Sequence, residues 1–226
     1  MNDFTSPGDH VKHIAESTVR RLSLYLRFLE DHDAQGHVTI SSGELAKFGG
    51  TTSAQVRKDL SFFGSFGKRG MGYTVKDLMS AIREILGLGR SWSVVIVGAG
   101  KIGAALAQYR GFSTRGFKVV GIYDADPAKI GTPLNSLTVC PDSALESDIA
   151  RLKPEIVVLC VPPEAAQTLV DRVTGAGIRA ILNFASVPLL APEGVTIRAV
   201  NMAAELEILT FGITNELNGQ DEDIEP

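Results

Sequence analysis

The stretch SVVIVGAGKIGAALAQY, residues 93–109, decides the fold of the larger part of the chain. A β-branched run comes first, a Gly-x-Gly-x-x-Gly motif follows, and a helical run begins at Ile102. In a dinucleotide-binding turn the first glycine permits the bend, the second lets backbone approach a pyrophosphate, and the third lets helix pack on strand. The helix N-terminus offers N–H groups to the phosphates. We therefore predict a cofactor site formed by Gly98, Ala99, Gly100, Lys101, Ile102 and Gly103.

An acidic residue follows this motif at the distance that a dinucleotide site requires. Asp124 lies 21 residues after Gly103, where the second strand is expected to end. Its carboxylate suits the hydroxyls of an adenosine ribose. Ala125 comes next, so no basic residue stands directly beside Asp124 for a 2′-phosphate, which favours NAD(H) over NADP(H). The alternative is a Rossmann-like domain that holds another nucleotide, such as coenzyme A, or no ligand.

The residues after 88 alternate between short β-branched runs and helical stretches. Strands are predicted over residues 94–97, 118–123, 156–161, 180–182 and 196–200. Such alternation is typical of a parallel sheet with helices on both faces, so we predict an α/β Rossmann domain over residues 89–200. A C-terminal amphipathic helix occupies residues 201–218, with an apolar stripe formed by Leu206, Leu209 and Ile213. Residues 219–226 are acidic, and we expect a disordered tail there.

Residues 1–88 are predicted to form a helical, mildly basic domain. Residues 1–90 carry 12 Lys and Arg against 10 Asp and Glu, although the whole chain has a net charge of −4. The third helix starts with a capping box of Thr52 and Gln55, and Ser42 caps the second. Residues 64–72 carry four glycines and are predicted to form a turn or wing. The helices are predicted over residues 18–32, 43–48, 52–63 and 75–86.

This order of elements fits a winged helix-turn-helix domain. The third helix would enter a DNA major groove N-terminus first. It would direct four side chains at bases and phosphates, namely Ser53, Gln55, Arg57 and Lys58. The glycine loop carries Lys68 and Arg69, cations that a narrow minor groove attracts. The alternative is that Arg57 and Lys58 form only a solvated face, and charge alone does not decide between the two.

The remaining chemistry favours binding over catalysis. All four histidines precede residue 38, so none falls in the later loops where a dehydrogenase needs a proton donor. Cys140 and Cys160 form no CxxC pair, and Cys160 is expected to be an apolar thiol rather than a nucleophile. No apolar run reaches the ~20 residues that span a bilayer, and no signal segment is visible. We expect a cytoplasmic, non-enzymatic protein without a metal site.

Three segments together resemble the Rex family of redox-sensing transcriptional repressors. They are QVRKDLSFFGSFGKRGMGYTV at residues 55–75, VVIVGAGKIGAALAQYRGF at 94–112 and ILNFA at 181–185, and the resemblance extends over residues 17–218. It implies a homodimer that binds an inverted-repeat operator and releases it when NADH accumulates relative to NAD⁺. It also implies that the last helix exchanges between subunits.

The resemblance assigns further residues. At the DNA it places Arg57, Lys58, Lys68, Arg69, Gly70 and Tyr73. At the nicotinamide side of the cofactor it places Val161, Pro162, Asn183, Phe184 and Ala185. A state-dependent ion pair of the family involves an arginine of the first helix, matched here by Arg27. It lies near a tyrosine matched by Tyr109, which we also group with the cofactor-binding residues.

The sequence departs from the family pattern at three places. Asn201 stands where the family has the aspartate of that ion pair, so the switch is expected to be weaker, rewired or biased. Lys101 and Ile102 stand where the family usually has Asn and Leu, and Ser186 replaces a proline.

We therefore interpret the chain as a dimeric NAD(H)-responsive repressor with a winged helix, a Rossmann domain and a domain-swapped C-terminal helix. One competing hypothesis is an NAD-dependent oxidoreductase with an appended helical domain, which would turn over a carbonyl substrate and retain no operator. Another is a DNA-binding protein whose ligand is coenzyme A or another adenine nucleotide, which competition with NADH would reveal.

Overall fold

The computed structural model describes residues 14–64, 66 and 72–221 of the chain. The chain divides into two compact units, Met1–Arg90 and Ser91–Pro226. This division lies two residues after the predicted boundary at residue 88, where helical patterns give way to β-branched runs. In the described part of the chain, no helix combines the length and the apolar character needed to cross a bilayer.

The first unit is built from helices and a two-stranded sheet. Its described elements are α1 (Glu16–Ala34), β1 (Thr39–Ile40), α2 (Ser42–Phe48), α3 (Ser53–Ser61), β2 (Tyr73–Thr74) and α4 (Val75–Ile85). The helical spacing of apolar residues on α1 buries Leu22, Tyr25, Leu26 and Leu29 completely. This face packs against α4, whose buried residues are Val75, Leu78 and Ile82. The four predicted helices are confirmed, and their apolar faces form one core.

Two helix starts differ in detail from the sequence prediction. Ser41 rather than Ser42 caps α2: its hydroxyl accepts from the N–H of Glu44, and the Glu44 carboxylate accepts from the Ser41 N–H. Thr52 caps α3 as predicted, accepting from the N–H of Gln55 at 3.2 Å. The Gln55 side chain does not close the predicted capping box, because it binds a carboxylate one turn further along α3.

A short antiparallel ladder joins β1 to β2, with Ile40 opposite Tyr73. Two residues per strand are too few to give an alternating pattern, so the sequence analysis missed both strands. Gly72 lies against the Ile40 carbonyl, where its φ of +75° and its lack of a Cβ are both required. Most of the predicted wing, residues 65 and 67–71, lies outside the described residues.

The second unit is a doubly wound α/β domain, as predicted. Its described strands are β3 (Trp92–Val97), β4 (Phe117–Asp124), β5 (Pro133–Leu134), β6 (Leu137–Pro141), β7 (Ile156–Leu159), β8 (Ala180–Asn183) and β9 (Thr196–Ala199). Its helices are α5 (Lys101–Ala107), α6 (Arg110–Thr114), α7 (Leu145–Leu152), α8 (Pro163–Gly175) and α9 (Met202–Asp221). The strand order is β5-β6-β4-β3-β7-β8-β9, parallel except between β5 and β6. β5 and β6 are additions to the predicted set.

The strand order changes direction at β3, which lies between β4 and β7. In open α/β sheets, ligands bind at the carboxyl ends of the strands beside such a switch point. Alternate residues of these strands pack on opposite faces of the sheet, with Val95 and Val157 in one cluster and Ile96 and Val158 in another. Both faces are therefore covered, which explains the continuous apolar run of β3.

The last helix, α9, is largely exposed over residues 202–215. Between residues 202 and 215 no side chain is buried. The predicted stripe of Leu206, Leu209 and Ile213 faces solvent, and so do Ile208 and Phe211 on the opposite side of the helix. The predicted amphipathic pattern is therefore corrected, because α9 is apolar on two sides. The helix runs to Asp221, into the predicted tail, and residues 222–226 lie outside the described part.

Candidate dinucleotide and DNA-binding sites

The glycine turn between β3 and α5 has the geometry of a phosphate-binding loop. Gly98 has a φ of +101°, and a Cβ there would overlap the carbonyl of Cys160. A Cβ on Gly103 would overlap the Gly98 carbonyl oxygen, so this glycine allows α5 to pack closely on β3. Gly100 is the N-cap of α5, and a Cβ there would meet no atom within 4 Å. Open space therefore remains beside the backbone of the loop.

Asp124, at the end of β4, holds this loop in place. Its Oδ2 accepts a hydrogen bond from the N–H of Ala99 at 2.7 Å, and its Oδ1 accepts from the N–H of Asp126 at 2.8 Å. Burial raises the pKa of Asp124, but the hydrogen bonds from Asp126, Ala99 and Lys129 outweigh it and hold the pKa below its usual value. Asp124 is therefore an ionised carboxylate that joins β4 to the glycine loop.

Lys129 is one of the charged residues of this site that were not predicted from the sequence. Its Nζ lies 3.1 Å from Asp124 Oδ2 and 3.5 Å from Asp126 Oδ2. A turn brings it back: the N–H of Lys129 donates to the Asp126 carbonyl, and the N–H of Ala128 donates to the Asp126 carboxylate. The prediction considered only Ala125, next to Asp124. The Asp-Pro turn that follows is the signal that a later cation could reach the carboxylate.

A cavity of about 1010 Å³ lies at the carboxyl ends of β3, β4 and β7. Seven predicted cofactor residues line it: Gly98, Gly100, Lys101, Ile102, Asp124, Val161 and Pro162. Its volume is at the upper end of the range for small-molecule sites, as a molecule of two nucleotides requires. An open backbone loop, which suits a pyrophosphate, and a carboxylate, which suits ribose hydroxyls, share this cavity. The residues present therefore fit NAD(H).

Six predicted cofactor residues do not line this cavity: Ala99, Gly103, Tyr109, Asn183, Phe184 and Ala185. The first two act on it through the backbone contacts already described. Asn183 is buried, and its side chain exchanges hydrogen bonds with the backbone of Ala185, so it closes the turn after β8. Phe184 packs in an apolar cluster of the sheet. Tyr109 lines a different cavity, near the amino ends of β3 and β4.

Cys160 and Arg172, of which only the cysteine was considered in the sequence, also line the cavity. Burial raises the pKa of Cys160 to about 12, so the thiol stays protonated, as expected for an apolar thiol rather than a nucleophile. Arg172 of α8 donates from Nε and Nη2 to Glu146, and from Nη1 to Asp142 at 3.0 Å. Hydrogen bonding to Glu146 is the main reason why the pKa of Arg172 is raised. These bonds fix α8 against the segment that follows β6.

In the first unit, α3 presents two cations to solvent. Arg57 and Lys58 are exposed, and Nη1 of Arg57 donates to the Ser42 hydroxyl on α2 at 3.1 Å. Ser53, in the first turn of α3, is half-buried. Helices α2 and α3 pack against each other as in a helix-turn-helix, whose second helix reads DNA. Exposed basic groups on that helix are what phosphate contacts require.

Asp59 anchors α3 from behind this exposed face. It is fully buried, and its carboxylate accepts from Arg21 at 2.6 and 2.7 Å, from Tyr25 at 3.1 Å and from Gln55 at 2.8 Å. Arg21 and Tyr25 belong to α1, so the network joins α1 to α3. Burial raises the pKa of Asp59, but the bonds from Arg21, Gln55 and Tyr25 outweigh it and hold the pKa below its usual value. No sequence pattern predicted this role for Asp59.

Two residues predicted to face DNA are placed elsewhere. The amide nitrogen of Gln55 donates to Asp59, so this side chain belongs to the network behind α3. Tyr73 is 8% exposed and packs in the core of the first unit, because β2 pairs it with Ile40. Its prediction as a DNA-facing side chain is therefore corrected. The other loop residues predicted to contact DNA, Lys68, Arg69 and Gly70, lie outside the described residues.

Asn201, which stands where the family has an aspartate, caps α9. Its Oδ1 accepts from the N–H of Ala203 at 3.1 Å and from that of Ala204 at 3.2 Å. Aspartate caps a helix equally well, so capping alone does not explain the asparagine. Arg27 and Tyr109, the other predicted switch residues, are exposed.

Two family models match the chain, one in each unit. Residues 13–61 match the family described as "Putative DNA-binding protein N-terminus", and residues 90–187 match "CoA binding domain". A helix-turn-helix unit joined to a Rossmann unit with a dinucleotide-type cavity defines a class of protein, the nucleotide-responsive transcription regulators.

Curated relatives identify the family within this class. The chain is 50% identical over 200 residues to the redox-sensing transcriptional repressor Rex of Desulfitobacterium hafniense, covering 88% of this chain and 95% of that one. It is 48% identical over 203 residues to the Rex repressor of Pelotomaculum thermopropionicum, covering 90% and 95%. The chain belongs to the Rex family of redox-sensing transcriptional repressors, and the predicted resemblance is confirmed.

Crystal structures of RSP, a Rex-family repressor, share this fold over nearly the whole chain. RSP in complex with β-NADH matches with a TM-score of 0.86 and 34% identity, covering 93% of this chain and 99% of RSP. RSP with β-NAD⁺ and operator DNA matches with a TM-score of 0.86 and 35% identity, covering 95% and 99%. In that relative, one fold binds both redox forms of the dinucleotide and, with β-NAD⁺, operator DNA.

Proposed function

We propose that this chain represses transcription by binding operator DNA through its first unit, and that it senses the NADH/NAD⁺ ratio through its second. One observation carries the proposal: the glycine loop and the ionised Asp124 share a single cavity of dinucleotide size. The relatives are named redox-sensing repressors, and RSP was crystallised with β-NADH and with β-NAD⁺ plus operator DNA. The chain is a regulator that binds NAD(H), not an enzyme that consumes it.

The cavity residues divide the work of holding the cofactor. The backbone of residues 98–103 binds the pyrophosphate at the start of α5. Asp124 accepts hydrogen bonds from the adenosine ribose. Val161 and Pro162 line the nicotinamide part, with the Asn183 turn supporting the neighbouring strand end. The nicotinamide ring supplies the signal, because its charge and shape differ between NAD⁺ and NADH.

The first unit supplies the DNA contacts. Helix α3 enters a major groove, where Arg57 and Lys58 meet phosphates or base edges and Ser53 lies at the leading end of the helix. Asp59 holds α3 at a fixed position against α1 while these side chains bind. The family resemblance alone supports a minor-groove contact by Lys68, Arg69 and Gly70.

The chain acts as a homodimer on an inverted repeat, with α9 packed against the partner. Helix α9 exposes Leu206, Ile208, Leu209, Phe211 and Ile213. The sheet of the same unit has a cavity of about 310 Å³ on one face, lined largely by apolar residues that include Val94, Ile156 and Val158, and a partner's α9 could pack there. Burying five large side chains contributes roughly 8–15 kcal/mol before entropy costs, at ~1.5–3 kcal/mol each. A two-fold dimer buries two such helices, so the gain is roughly 16–30 kcal/mol at the same ~1.5–3 kcal/mol per side chain, which exceeds the association cost of ~4–15 kcal/mol.

Truncation after Val200 tests the assembly. We expect the shortened chain to be monomeric by light scattering and to lose tight operator binding, because each half-site then binds alone. The melting temperature should fall and no longer depend on protein concentration, because the truncated chain loses the stabilisation that dimer association gives to the folded state. A dimer that persists at micromolar concentration would show that other surfaces hold the subunits together.

An operator titration tests the function itself. A duplex bound by the chain is first selected from random sequences, and its affinity is then measured at fixed salt with increasing NADH, NAD⁺ or coenzyme A. We expect NADH to release the duplex at far lower concentration than NAD⁺, because a ligand shifts an equilibrium only through its different affinities for the two states. Asp124→Ala is the matched control: it should bind the duplex normally and respond poorly to NADH. Equal effects of NADH and NAD⁺ would refute redox sensing, and failure to select any duplex would favour an oxidoreductase.

A further inference from the structure

We propose that Lys129 is a specificity-determining residue of the dinucleotide site. Its ammonium group could bind a 2′-phosphate, but its ion pairs with Asp124 and Asp126 prevent this. The proposal rests on the proposed function, because it takes Asp124 as the partner of the adenosine ribose. It also changes the reason for the preference for NAD(H). A cation, Lys129, is present beside the ribose site. NAD(H) is preferred because Asp124 and Asp126 pair with this cation and leave a net negative charge.

The geometry around Lys129 supports this role. Its Nζ lies 3.1 Å from Asp124 and 3.5 Å from Asp126, and all three residues line the cavity. The Lys129 side chain is 40% exposed whereas that of Asp124 is 10% exposed, so the ammonium group is the more accessible partner. The backbone turn at Asp126 fixes the starting point of the lysine side chain. Hydrogen bonding to Asp124 raises the pKa of Lys129, which is therefore a cation at neutral pH.

The charge balance explains why Lys129 does not bind a 2′-phosphate. Two carboxylates and one ammonium leave this corner with a net charge of −1. A 2′-hydroxyl can donate a hydrogen bond to Asp124, whereas a phosphate monoester near neutral pH adds a charge of about −1.5 to −2. A 2′-phosphate would lie beside the ionised Asp124 carboxylate, and the repulsion between these two negative groups would outweigh its attraction to Lys129. NADH is accepted and NADPH is rejected for that reason.

Removal of the Asp124 charge should release Lys129. In Asp124→Asn the ribose loses its anionic acceptor, so NADH binds less tightly. Lys129 keeps only its longer contact with Asp126, and the corner becomes neutral, so a 2′-phosphate can pair with the ammonium. The gain in NADPH binding must then disappear in a second substitution, Lys129→Met.

The test is a double-mutant cycle on the full chain. Binding of NADH and of NADPH is measured by calorimetry for wild type, Asp124→Asn, Lys129→Met and the double variant, at low and high salt. We expect Asp124→Asn to strengthen NADPH binding about tenfold to a hundredfold, the size of one charge-assisted hydrogen bond, and high salt to reduce this gain. The double variant should bind NADPH no better than wild type. Lys118→Met is the matched control for Lys129→Met, because Lys118 is an exposed lysine of β4 outside this cavity. Combined with Asp124→Asn, it should leave the gain in NADPH binding unchanged.

The outcomes separate the two proposals. Persistence of the NADPH gain in the double variant, or no gain in Asp124→Asn, would overturn the role of Lys129 while leaving NAD(H) binding intact. Unchanged NADH affinity in Asp124→Asn would overturn the placement of the ribose at Asp124 and therefore both proposals. Melting curves check that each variant folds, and Lys129→Gln replaces Lys129→Met if the latter unfolds.

Discussion

Replacement of Asp59 by alanine tests how much the buried hydrogen-bond network that joins α1 to α3 contributes to stability. Asp59 is fully buried and accepts two bonds from Arg21, one from Tyr25 and one from Gln55. Removing one partner of a buried ion pair typically costs about 3–5 kcal/mol, because the other charge is left without compensation. The Arg21 side chain is 21% exposed and can reach water in part, so we expect a loss near the lower end, about 3 kcal/mol.

Hydrogen exchange resolves this loss, because the chain has two units and need not unfold in one step. The slowest amides of α1 and α3 should exchange faster by a factor of about 100, which corresponds to ~3 kcal/mol. The single tryptophan, Trp92, lies in the second unit, so its fluorescence transition in urea should not move. Asp77→Ala, an exposed acid in the first turn of α4, is the matched control and should change stability by less than about 0.5 kcal/mol. A loss below about 1 kcal/mol for Asp59→Ala would refute the anchor.

The contribution of the Asp59 charge to the free energy of unfolding should depend on pH in a definite direction, which the variant Asp59→Asn tests. The pKa of Asp59 is lowered in the folded chain, so its contribution to stability is present above the ordinary carboxyl pKa and is lost as pH falls through the folded value. The difference between wild type and Asp59→Asn should therefore be constant near neutral pH and shrink below about pH 4. A difference that grew on acidification would contradict this assignment.

Three further predictions concern the cofactor loop, the DNA face and the switch. Gly100→Ala should fold normally, because its Cβ meets open space, but should bind NADH about tenfold more weakly or worse in calorimetry, since the methyl group blocks backbone approach to the pyrophosphate; wild-type affinity would argue against this loop as the phosphate site. Arg57→Ala and Lys58→Ala should each weaken operator binding, and a pure phosphate contact should reduce the salt slope by about 1; wild-type slopes and affinities in both would leave only a solvated face. Asn201→Asp keeps the cap of α9 and supplies the carboxylate that the family resemblance pairs with an arginine matched by Arg27, so it should change the ratio of operator affinities without and with NADH; an identical ratio would place the switch in other contacts.

The local patterns predicted the conformation of the glycine loop between β3 and α5. Gly98, Gly100 and Gly103 follow a strand and open a helix, and each glycine has a local steric reason that the motif already contains. Asp124 follows from the length of one strand-helix-strand unit. Lys129 does not follow, because its contact with Asp124 depends on a turn whose shape the spacing alone does not give.

The DNA-binding unit shows where sequence patterns stop being informative. Gln55 and Tyr73 look like surface residues because both are polar and stand near basic ones. Their positions are set by tertiary partners, a buried Asp59 for the amide and the ladder with Ile40 for the ring. The apolar character of α9 is visible in the sequence, but its exposure within a single chain is not.

Redox control of transcription requires that NADH and operator DNA weaken each other's binding to this chain, and a binding measurement shows whether they do. The affinity of the full chain for NADH is measured by nicotinamide fluorescence, first alone and then with saturating selected operator. Coupling of two ligands is reciprocal, so operator must weaken NADH binding by the same factor by which NADH weakens operator binding. We predict at least about a tenfold loss of NADH affinity on operator, with a much smaller change for NAD⁺. An NADH affinity that is the same with and without operator would contradict the account.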